Sequence, residues 1–391
     1  MKKVVILYPA DPLGAVASGI DTFIRGILRW APSDISISLI GVTDDVNNRP
    51  VGKWIKCDLG RSKFDFFAVG SLNKEGKRGK VPLLLKYMFG LLFYRPSLAA
   101  DIVEFHRIEP SVIFYFCSKF KKNAFFHQDM QVLHNTKSDI LWSRLPFLYF
   151  WLQDILIHRL DNIYCVRKEA VVSLKDRYRC ISNRFQFTPT WVDSEIFYPV
   201  DKLLKHQRRR SLSITKDEKI IISVGRLDTQ KQPLLLVQSF KRVLIHHPSA
   251  KLLFIGDGEL RGELTQYIEQ EDLSDSVVLK GIMSEKEVAF ILSIANVFCL
   301  SSAYEGMPMS VLEALGSGVP VVTTNVGEVK LVIKNGVNGE IVSQNEEDIA
   351  LSLISILDNP SQYSNEAIVK SVKKYQPSKV LEPIFEKYRQ L

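Results

Sequence analysis

The sequence lacks several features that would assign it to a particular class of protein. Its five cysteines are scattered, odd in number and without C-x-x-C spacing, so neither a disulfide framework nor a zinc site is predicted. No segment offers the ~20 apolar residues that span a bilayer. The early apolar run Val4–Tyr8 ends at Pro9, which is too short for a signal peptide and favours a buried strand. These absences predict a cytoplasmic globular protein.

Motifs for metal-dependent chemistry and for repeat architectures are also missing. The sequence contains no D-x-D triplet, and no group of His, Asp and Glu has the spacing of a metal site. We therefore expect no required metal ion and no cofactor. No sequence pattern recurs with a period of roughly 20–50 residues, which argues against a solenoid or a propeller.

The charge balance predicts an anionic partner. The net charge is +8 and the isoelectric point is near 9.0, which fits a nucleic acid, a membrane surface or a phosphorylated ligand. The most basic stretch, Asp201–Lys216, lacks interleaved aromatic residues and lies in no nucleic-acid-binding motif. We predict a linker or exposed loop there and no nucleic acid as a partner. Steep salt dependence of nucleic-acid binding would favour the alternative.

The length predicts two domains, because 391 residues exceed one compact core of ordinary size. In the second half, strand-like apolar runs alternate with helical patterns, which implies a parallel, doubly wound sheet. The strand-like runs are Lys219–Val224, Lys251–Ile255, Val277–Leu279, Val297–Leu300 and Val319–Thr323. The helical patterns are Pro233–Ile245, Glu259–Gln270, Ser284–Ser293 and Pro308–Leu315.

The first half shows a weaker version of the same alternation. Its expected elements are a helix at Ile20–Trp30 and strands at Val4–Tyr8, Ile35–Ile40, Val112–Phe116 and Ala124–Phe126. We therefore predict an α/β protein with two Rossmann-like, doubly wound domains facing a cleft, at residues 1–195 and 196–375. A C-terminal helix is expected at 376–391, with a return to the N-terminal domain as one option. Ligands of such sheets bind at the carboxyl ends of the strands.

Two glutamates follow one of the predicted strands. Glu305 lies in the loop after Val297–Leu300, and Glu313 lies on the next helix. The start of that helix presents backbone N–H groups, which favour anions. Carboxylates accept hydrogen bonds from hydroxyls, which sugars and riboses offer. The combination indicates a sugar nucleotide, and the alternative is two ordinary surface carboxylates.

Two cations follow another predicted strand. Arg226 and Lys231 lie on the loop after Lys219–Val224, just before a helix. A guanidinium and an ammonium can hold a diphosphate between them. As a bond to a leaving diphosphate breaks, such groups stabilise the growing negative charge, typically by ~3–4 kcal/mol per donor. The alternative is two unrelated surface bases.

Taken in order, these segments resemble glycosyltransferase family 4, the large retaining family with the GT-B fold. The shared features are the E-x7-E pair Glu305…Glu313, the GRL-x3-K segment with Arg226 and Lys231, Ile255–Leu260 (IGDGEL), Gly316–Val329 (GSGVPVVTTNVGEV) and Asn335–Val342 (NGVNGEIV). The similarity is strong over residues 219–345 and looser over 1–200. Each motif is weak alone, but the ordered set is specific.

The resemblance implies a retaining glycosyltransferase. It would move a hexose-type sugar from a UDP- or GDP-sugar to a glycan or lipid-linked acceptor, in bacterial cell-surface polysaccharide synthesis. Arg226 and Lys231 would bind the donor diphosphate, and Glu313 the ribose hydroxyls. Glu305 and the backbone that follows it would face the transferred sugar. The remaining donor-binding residues would be Ile282 and Met283 near the base, with Gly306, Met307, Pro308, Met309, Ser310 and Val311.

The resemblance also implies two contributions from the first half. Gly19 stands where the family has a Gly-Gly loop, although the preceding residue here is Ser18. His127 matches a histidine beside the reacting sugar, so the expected catalytic set is His127, Glu305, Arg226 and Lys231. His106 and His134 are not expected to act. The Gly256–Gly258 turn is expected to serve packing rather than binding.

Two segments raise the possibility of a membrane partner. Residues 74–95 hold six Lys or Arg against one Glu and end in an apolar, aromatic stretch, and Leu145–Ile157 is similarly aromatic. A basic and apolar segment can lie at the surface of an anionic membrane, here the inner face of the cell membrane. A lipid-linked acceptor such as an undecaprenyl-diphosphate glycan would then follow. The alternative is that both segments are buried helices of the N-terminal domain.

Three other functions compete with transfer. A nucleotide-sugar epimerase of GT-B fold would turn over donor without acceptor. A non-catalytic nucleotide-sugar-binding protein would bind donor and have no activity to lose on mutation of His127 or Glu305. A nucleic-acid-binding protein would use the basic stretch.

Overall fold

The computed structural model describes residues 1–14, 19–72, 82–127 and 146–391. The described residues divide into two compact units. The first is built from residues 1–14, the described residues of Ile20–Pro189, and Pro377–Leu391. The second is Thr190–Gln376 together with Gly19. Each unit is organised around a mostly parallel sheet flanked by helices.

The described part of the first unit holds an eight-stranded sheet. Its strands are β1 (Lys2–Leu7), β2 (Ile35–Thr43), β3 (Trp54–Asp58), β4 (Lys63–Ser71), β5 (Ile102–Phe105), β6 (Lys121–Phe126), β7 (Asn162–Cys165) and β8 (Phe185–Phe187). The strand order is β3-β4-β2-β1-β5-β6-β7-β8, and β3 pairs with β4 in the antiparallel sense. Because β1 lies between β2 and β5, the strand order reverses at β1, where such sheets bind ligands.

The helices of the first unit cover this sheet. They are α1 (Gly19–Trp30), α2 (Leu83–Tyr94), α3 (Pro146–Ile157) and α4 (Lys168–Arg177), with 3₁₀ helices at Glu109–Phe114 and Arg179–Arg184. Tyr87 and Leu91 of α2 join Ile157 of α3 in the same buried cluster with residues of β1 and β5. Both helices therefore bury one face against the sheet.

The second unit contains six parallel strands in the described residues. They are β9 (Ile220–Val224), β10 (Lys251–Ile255), β11 (Val277–Leu279), β12 (Val297–Leu300), β13 (Val321–Thr324) and β14 (Gly339–Val342). The order is β11-β10-β9-β12-β13-β14. Counted within the unit this is 3-2-1-4-5-6, the order of dinucleotide-binding sheets, whose crevice opens at the carboxyl ends of the first and fourth strands. Those strands are β9 and β12.

Helices connect the strands of the second unit. They are α5 (Lys202–Ser211), α6 (Pro233–His246), α7 (Arg261–Gln270), α8 (Glu285–Leu292), α9 (Met309–Gly316), α10 (Glu346–Asp358) and α11 (Asn365–Val372), with 3₁₀ helices at Val329–Leu331, Pro360–Gln362 and Lys373–Tyr375. The strands are short apolar runs buried on both faces, and the helices that follow bury one face each, as parallel sheets require.

The chain ends with α12 (Pro377–Val380) and α13 (Glu382–Gln390), which belong to the first unit. The buried hydroxyl of Tyr388 is hydrogen-bonded to the carboxyl group of Glu104 on β5. Arg389 pairs with Asp34, near the start of β2. In the described part of the chain, no helix is long and apolar enough to cross a membrane.

The predicted loop at Asp201–Lys216 is wrong over most of its length, because Lys202–Ser211 is helix α5. Asp201 caps this helix by accepting a hydrogen bond from the backbone N–H of Leu204 at 2.7 Å. Arg209 is buried and donates to the carbonyl groups of Ile294, Thr215 and Glu218. Part of the basic run is therefore used inside the unit.

The predicted strand at Val112–Phe116 is also wrong. Residues Glu109–Phe114 form a 3₁₀ helix, and the neighbouring strand is Ile102–Phe105 instead. Pro110 stands in the first turn of this helix, where its missing N–H costs nothing, whereas in a strand it would remove a ladder hydrogen bond. The hydroxyl of Ser111 donates to the carbonyl of Ile108 and reinforces the turn.

Candidate functional site

The loops after β9 and β12 bring together a lysine and a glutamate of the predicted site. The ammonium nitrogen of Lys231 lies 2.5 Å from Oε1 of Glu305. The hydroxyl of Ser302 donates to the same oxygen at 2.7 Å. The side chains of Lys231 and Glu305 are 20% and 9% exposed, so the pair is shielded but still accessible. A cation and a carboxylate therefore meet at the crevice of the sheet.

Asp228 organises the loop that carries the two predicted cations. Its Oδ2 lies 2.9 Å from a guanidinium nitrogen of Arg226, and its Oδ1 accepts from the backbone N–H of Lys231 at 3.0 Å. Asp228 is buried, whereas the side chain of Arg226 is 55% exposed. One carboxylate thus anchors the loop and leaves much of the guanidinium open to a ligand. Asp228 is a residue of the site beyond those predicted from the sequence.

Hydrogen bonds join the two loops to each other. The backbone N–H of Ala303 donates to the carbonyl of Gln230 at 2.7 Å, and the side-chain amide of Gln230 donates to the carbonyl of Tyr304 at 3.0 Å. The hydroxyl of Ser301 donates to the carbonyl of Lys231 at 2.9 Å. The positions of Lys231 and Glu305 are therefore fixed by their backbones as well as by their own contact.

The Gly256–Gly258 turn packs directly against the cation loop, which agrees with its expected packing role. Gly256 has a φ of +135°, and a Cβ atom there would lie 1.9 Å from the carbonyl oxygen of Gly225. A Cβ atom at Gly258 would lie 2.3 Å from the carbonyl oxygen of Leu227. Neither approach is possible with a side chain, so the glycines allow the turn to support the backbone on both sides of Arg226.

The segment between the two glutamates enters helix α9. Pro308 precedes the first turn and supplies no side-chain cap. The side chains of Met307, Met309 and Val311 are buried. These residues can therefore offer a ligand their backbone rather than their side chains. Gly306 is partly exposed in the loop, and Ser310 is partly exposed in the first turn of the helix.

Glu313 is buried on α9. Burial, together with the negative charge of Glu285, raises the pKa of the Glu313 carboxyl group to about 8, and the charge of Lys231 partly offsets the rise. At neutral pH this group therefore carries a proton in the ligand-free protein for most of the time. A protonated carboxyl group can donate as well as accept a hydrogen bond, which suits a hydroxyl partner.

The loop after β11 carries the two residues predicted to lie near a base. Ile282 is exposed and Met283 is partly buried. The carbonyl of Gly281 accepts from the backbone N–H of Gly256 at 2.8 Å, which ties this loop to the turn after β10. Glu285, the first residue of helix α8 after this loop, acts electrostatically on Glu313 of α9.

In the first unit, His127 follows β6 and contacts a second histidine. Its Nε2 lies 2.8 Å from Nδ1 of His106, and Nε2 of His106 lies 2.7 Å from Oε1 of Glu104. His106, which was not expected to act, therefore contacts His127, and Glu104 is a further residue beyond those predicted from the sequence. His134 lies outside the described residues. Gly19 begins α1, and a Cβ atom there would meet no described atom within 4 Å.

Comparison with known proteins finds a family model that matches most of the second unit. Residues 205–374 match the family model described as "Glycosyl transferases group 1". The match covers less than half of the 391 residues. The group 1 region contains Arg226, Lys231, Glu305 and Glu313, whereas His127 lies outside it.

Named relatives support the assignment of a glycosyltransferase. An uncharacterised glycosyltransferase of Methanocaldococcus jannaschii is 28% identical over 302 residues, which is 70% of this chain and 66% of that protein. A UDP-Gal:alpha-D-GlcNAc-diphosphoundecaprenol alpha-1,3-galactosyltransferase of Escherichia coli is 27% identical over 220 residues, 55% of this chain and 56% of that enzyme. The chain thus matches less than two thirds of the length of either relative.

The fold of the whole chain matches a solved structure. Sucrose-phosphate synthase from Thermosynechococcus elongatus superposes with a TM-score of 0.80, at 17% identity, over 100% of this chain and 99% of that one. Together with the two mostly parallel sheets, this confirms the predicted GT-B α/β fold. Within the described residues, no group of three His, Cys, Asp or Glu side chains is arranged to hold a metal ion.

Proposed function

We propose that the protein is a retaining glycosyltransferase that binds a nucleotide-diphosphate sugar in its second unit. The observation that carries the proposal is the contact of Lys231 with Glu305 where the crevice of a dinucleotide-type sheet opens. A cation beside hydroxyl-accepting carboxyl groups matches a ligand that contains both phosphate and sugar. The family match over 205–374 supports the same activity.

The cations bind the diphosphate. Arg226 offers a half-exposed guanidinium that can hold two phosphate oxygens, and Lys231 offers a point charge. Without ligand, each cation rests against a carboxylate of its own site, Asp228 or Glu305. These carboxylates hold the cations in place before binding, so less side-chain entropy is lost when the diphosphate arrives.

The carboxyl groups bind hydroxyls. Glu313 receives the ribose, because it is buried and holds its proton near neutral pH. Glu305 faces the transferred sugar, together with the backbone N–H groups at the start of α9. Ile282 and Met283 contact the base, and the backbone of Gly306 through Val311 completes the donor site. His127, Glu305, Arg226 and Lys231 form the catalytic set, with Gly19 close to the diphosphate.

Transfer proceeds by front-face attack with retention of configuration. As the bond from the sugar to the diphosphate breaks, Arg226 and Lys231 stabilise the charge on the leaving phosphate, and that phosphate takes the proton of the acceptor hydroxyl. This route needs no metal ion and no covalent glycosyl-enzyme. Chemical trapping of a covalent sugar adduct would contradict it.

The donor is a UDP- or GDP-hexose, and the acceptor is a glycan or lipid-linked glycan of cell-surface polysaccharide synthesis in the cytoplasm. The printed name of the E. coli relative contains a UDP-sugar and a diphosphoundecaprenol acceptor, so this pair is tested first. Epimerisation is the alternative, and the product of donor turnover without acceptor would reveal it.

A donor screen tests the proposal. A ligand at 100 times its dissociation constant stabilises the folded protein by about 2.7 kcal/mol, so a nucleotide-diphosphate sugar should raise the melting temperature. Arg226→Ala should abolish the shift. Arg210→Ala, which removes an exposed arginine of α5, is the matched control and should retain it. If no UDP- or GDP-sugar shifts the wild-type transition, the proposed activity is wrong.

We also propose that the first unit binds an anionic membrane surface through residues 74–95. The described part of this segment is α2, which buries Tyr87 and Leu91 but leaves Phe89 and Phe93 68% and 81% exposed. On α3, Phe147, Leu148 and Trp151 are also exposed. Exposed aromatic side chains next to a basic segment suit the interface of an anionic bilayer. Lys74, Lys77, Arg78 and Lys80 lie outside the described residues.

Vesicle sedimentation tests the membrane proposal. Phosphatidylglycerol vesicles should retain the wild type, whereas replacing Lys77, Arg78 and Lys80 by glutamate should release it. The pair Phe89→Ser and Phe93→Ser should release it as well. Ile245→Ser, which removes an exposed apolar side chain of the second unit, should leave binding unchanged. Vesicle binding that survives both sets of substitutions would overturn the proposal.

A further inference from the structure

A chain of hydrogen bonds runs through the interior of the first unit and ends at His127. The hydroxyl of Tyr388 contacts Oε2 of Glu104, and Oε1 of Glu104 lies 2.7 Å from Nε2 of His106. The other ring nitrogen of His106, Nδ1, lies 2.8 Å from Nε2 of His127. Both ring nitrogens of His106 are therefore used, and within the described residues no hydrogen bond reaches Nδ1 of His127, which can meet a ligand.

The inner members of the chain are sealed from water. Glu104 is 0% exposed and His106 is buried. The ring of Phe125 lies parallel to that of His106 with centroids 4.9 Å apart, and Phe23 packs edge-on against both His106 and His127. The ring planes of His106 and His127 are inclined by 18°. The two histidine rings are thus held in orientation by packing on several sides.

No described Lys or Arg side chain forms an ion pair with Glu104. Among the described residues, three tyrosines are the other titratable groups around these hydrogen bonds. Tyr388 and Tyr164 lie near Glu104, and Tyr8 packs edge-on against His106. Burial raises the pKa of Glu104 well above its ordinary value and lowers the pKa of His106 to about 3. Burial and the neighbouring His106 also lower the pKa of His127.

These conditions determine where the protons lie. A neutral Glu104 donates its proton to Nε2 of His106, while its other oxygen accepts from Tyr388. A neutral His106 then has its single proton on Nδ1 and donates it to Nε2 of His127. A neutral His127 must in turn hold its proton on Nδ1. If Glu104 were ionised, it would still accept from Tyr388, but both hydrogen bonds of His106 would reverse and Nδ1 of His127 would become an acceptor.

We propose that Glu104 and His106 are positioning residues that hold His127 as the neutral Nδ1–H tautomer, so that His127 donates a hydrogen bond to a sugar hydroxyl oxygen and does not act as a base. The role of His127 toward a sugar rests on the proposed function, whereas its tautomer does not. A His127 that only donates a hydrogen bond agrees with front-face transfer, because in that mechanism the leaving phosphate accepts the proton of the acceptor hydroxyl.

Nitrogen NMR of the full-length chain tests the tautomer directly. With ¹⁵N-labelled histidine the protein gives signals from seven imidazole rings. The signal that disappears in His127→Gln is assigned to the His127 ring. At neutral pH the His127 ring should show a protonated Nδ1 and an unprotonated Nε2, the reverse of the tautomer that free histidine prefers. A signal with protonated Nε2, or with both nitrogens protonated, overturns the proposal even if the enzyme is active.

Substitutions separate positioning from mere packing. Glu104→Gln keeps a donor N–H toward His106 and should preserve both the tautomer and turnover within about twofold. Glu104→Leu and His106→Phe keep the site filled but interrupt the series of hydrogen bonds, so the unusual tautomer should disappear. Loss of the hydrogen bond from His127 to the sugar should then lower kcat by about 10- to 100-fold. Equal losses in Glu104→Gln and Glu104→Leu would contradict the mechanism. If the wild type turns over no donor, the proposed function fails while the NMR result still decides the tautomer.

Discussion

The ammonium group of Lys231 contacts the carboxylate of Glu305 at 2.5 Å, although 74 positions separate them in the sequence. The contact exists because β9 and β12 are neighbours in the sheet while three crossover helices and two other strands intervene along the chain. A strand order of this kind places two distant loops side by side and builds a site from residues that no local pattern connects.

The first prediction concerns the strength of this pair. Removing either partner leaves the other largely shielded and unpaired, so Lys231→Met and Glu305→Gln should each destabilise the protein by about 1–3 kcal/mol. The double variant should be less destabilised than the sum of the two, with a coupling energy of about 1–3 kcal/mol. Chemical unfolding of the wild type, the two single variants and the double variant completes this double-mutant cycle.

The control for that cycle is the pair of Lys241 with Glu271 in the same unit, where both side chains are about one third or more exposed. Exposed pairs contribute little to stability because water and salt screen them, so a smaller coupling energy is expected here. An equal coupling energy for the two pairs would show that the Lys231–Glu305 contact has no special shielding.

The second prediction concerns Glu313 and pH. Its pKa is raised to about 8, so between its ordinary pKa near 4.5 and about 8 the folded protein holds a proton that the unfolded chain has lost. Stability should therefore fall as the pH rises through this window, by about 1 kcal/mol per pH unit from this group. In Glu313→Gln this contribution should be absent, because the amide does not titrate.

Chemical unfolding at several pH values between about 5 and 8 measures that contribution. Glu347→Gln is a suitable control, since Glu347 is an exposed residue in the first turn of α10. Superimposable pH profiles for the wild type and Glu313→Gln would rule out a buried, proton-holding carboxyl group at this position.

The third prediction concerns the glycine turn that supports Arg226. In Gly258→Ala the new methyl group would meet the backbone of Leu227 at 2.3 Å, so the cation loop must shift. Stability and affinity for the donor should both fall. Gly262→Ala is the matched control, because nothing lies within 4 Å of the new methyl group and alanine favours a helix by about 1 kcal/mol. Unchanged donor affinity in Gly258→Ala would show that the Gly256–Gly258 turn does not support the loop that carries Arg226.

The second unit was the more predictable part of the chain. Its strands are short apolar runs such as Lys251–Ile255, each ended by glycine or by a polar loop and followed by a helical pattern. Burial on both faces makes such strands visible in a single sequence. Arg226 and Glu305 could therefore be placed on loops at one edge of the sheet before the structure was known.

The first unit was less predictable because its signals are weaker or misleading. β3 (WIKCD) and the start of β4 (KFDF) mix charged and apolar residues at an antiparallel edge, and neither strand was predicted from the sequence. The stretch Asp201–Lys216 was predicted to be a linker or exposed loop, yet most of it is helix α5, and Arg209 satisfies buried carbonyl groups. Long-range hydrogen bonds of this kind leave no local pattern.

Glu104 and His106 could have been found from the sequence. They stand two positions apart around the strand Ile102–Phe105, so both side chains point to the same face of the sheet. A glutamate within an otherwise apolar strand needs a buried partner, since an unpaired buried charge is costly. Such a residue at the carboxyl end of a central strand is therefore a signal for a site.

The most direct test of the central claim is the preference of the protein for a nucleoside diphosphate over the monophosphate, measured by calorimetry with UDP and UMP or with the guanosine pair. If Arg226 and Lys231 hold the second phosphate, the wild type should prefer the diphosphate by at least about tenfold, since charged hydrogen bonds contribute about 1.5–3 kcal/mol. The double variant Arg226→Ala and Lys231→Met should bind both nucleotides equally. A preference that survives in the double variant would contradict the account.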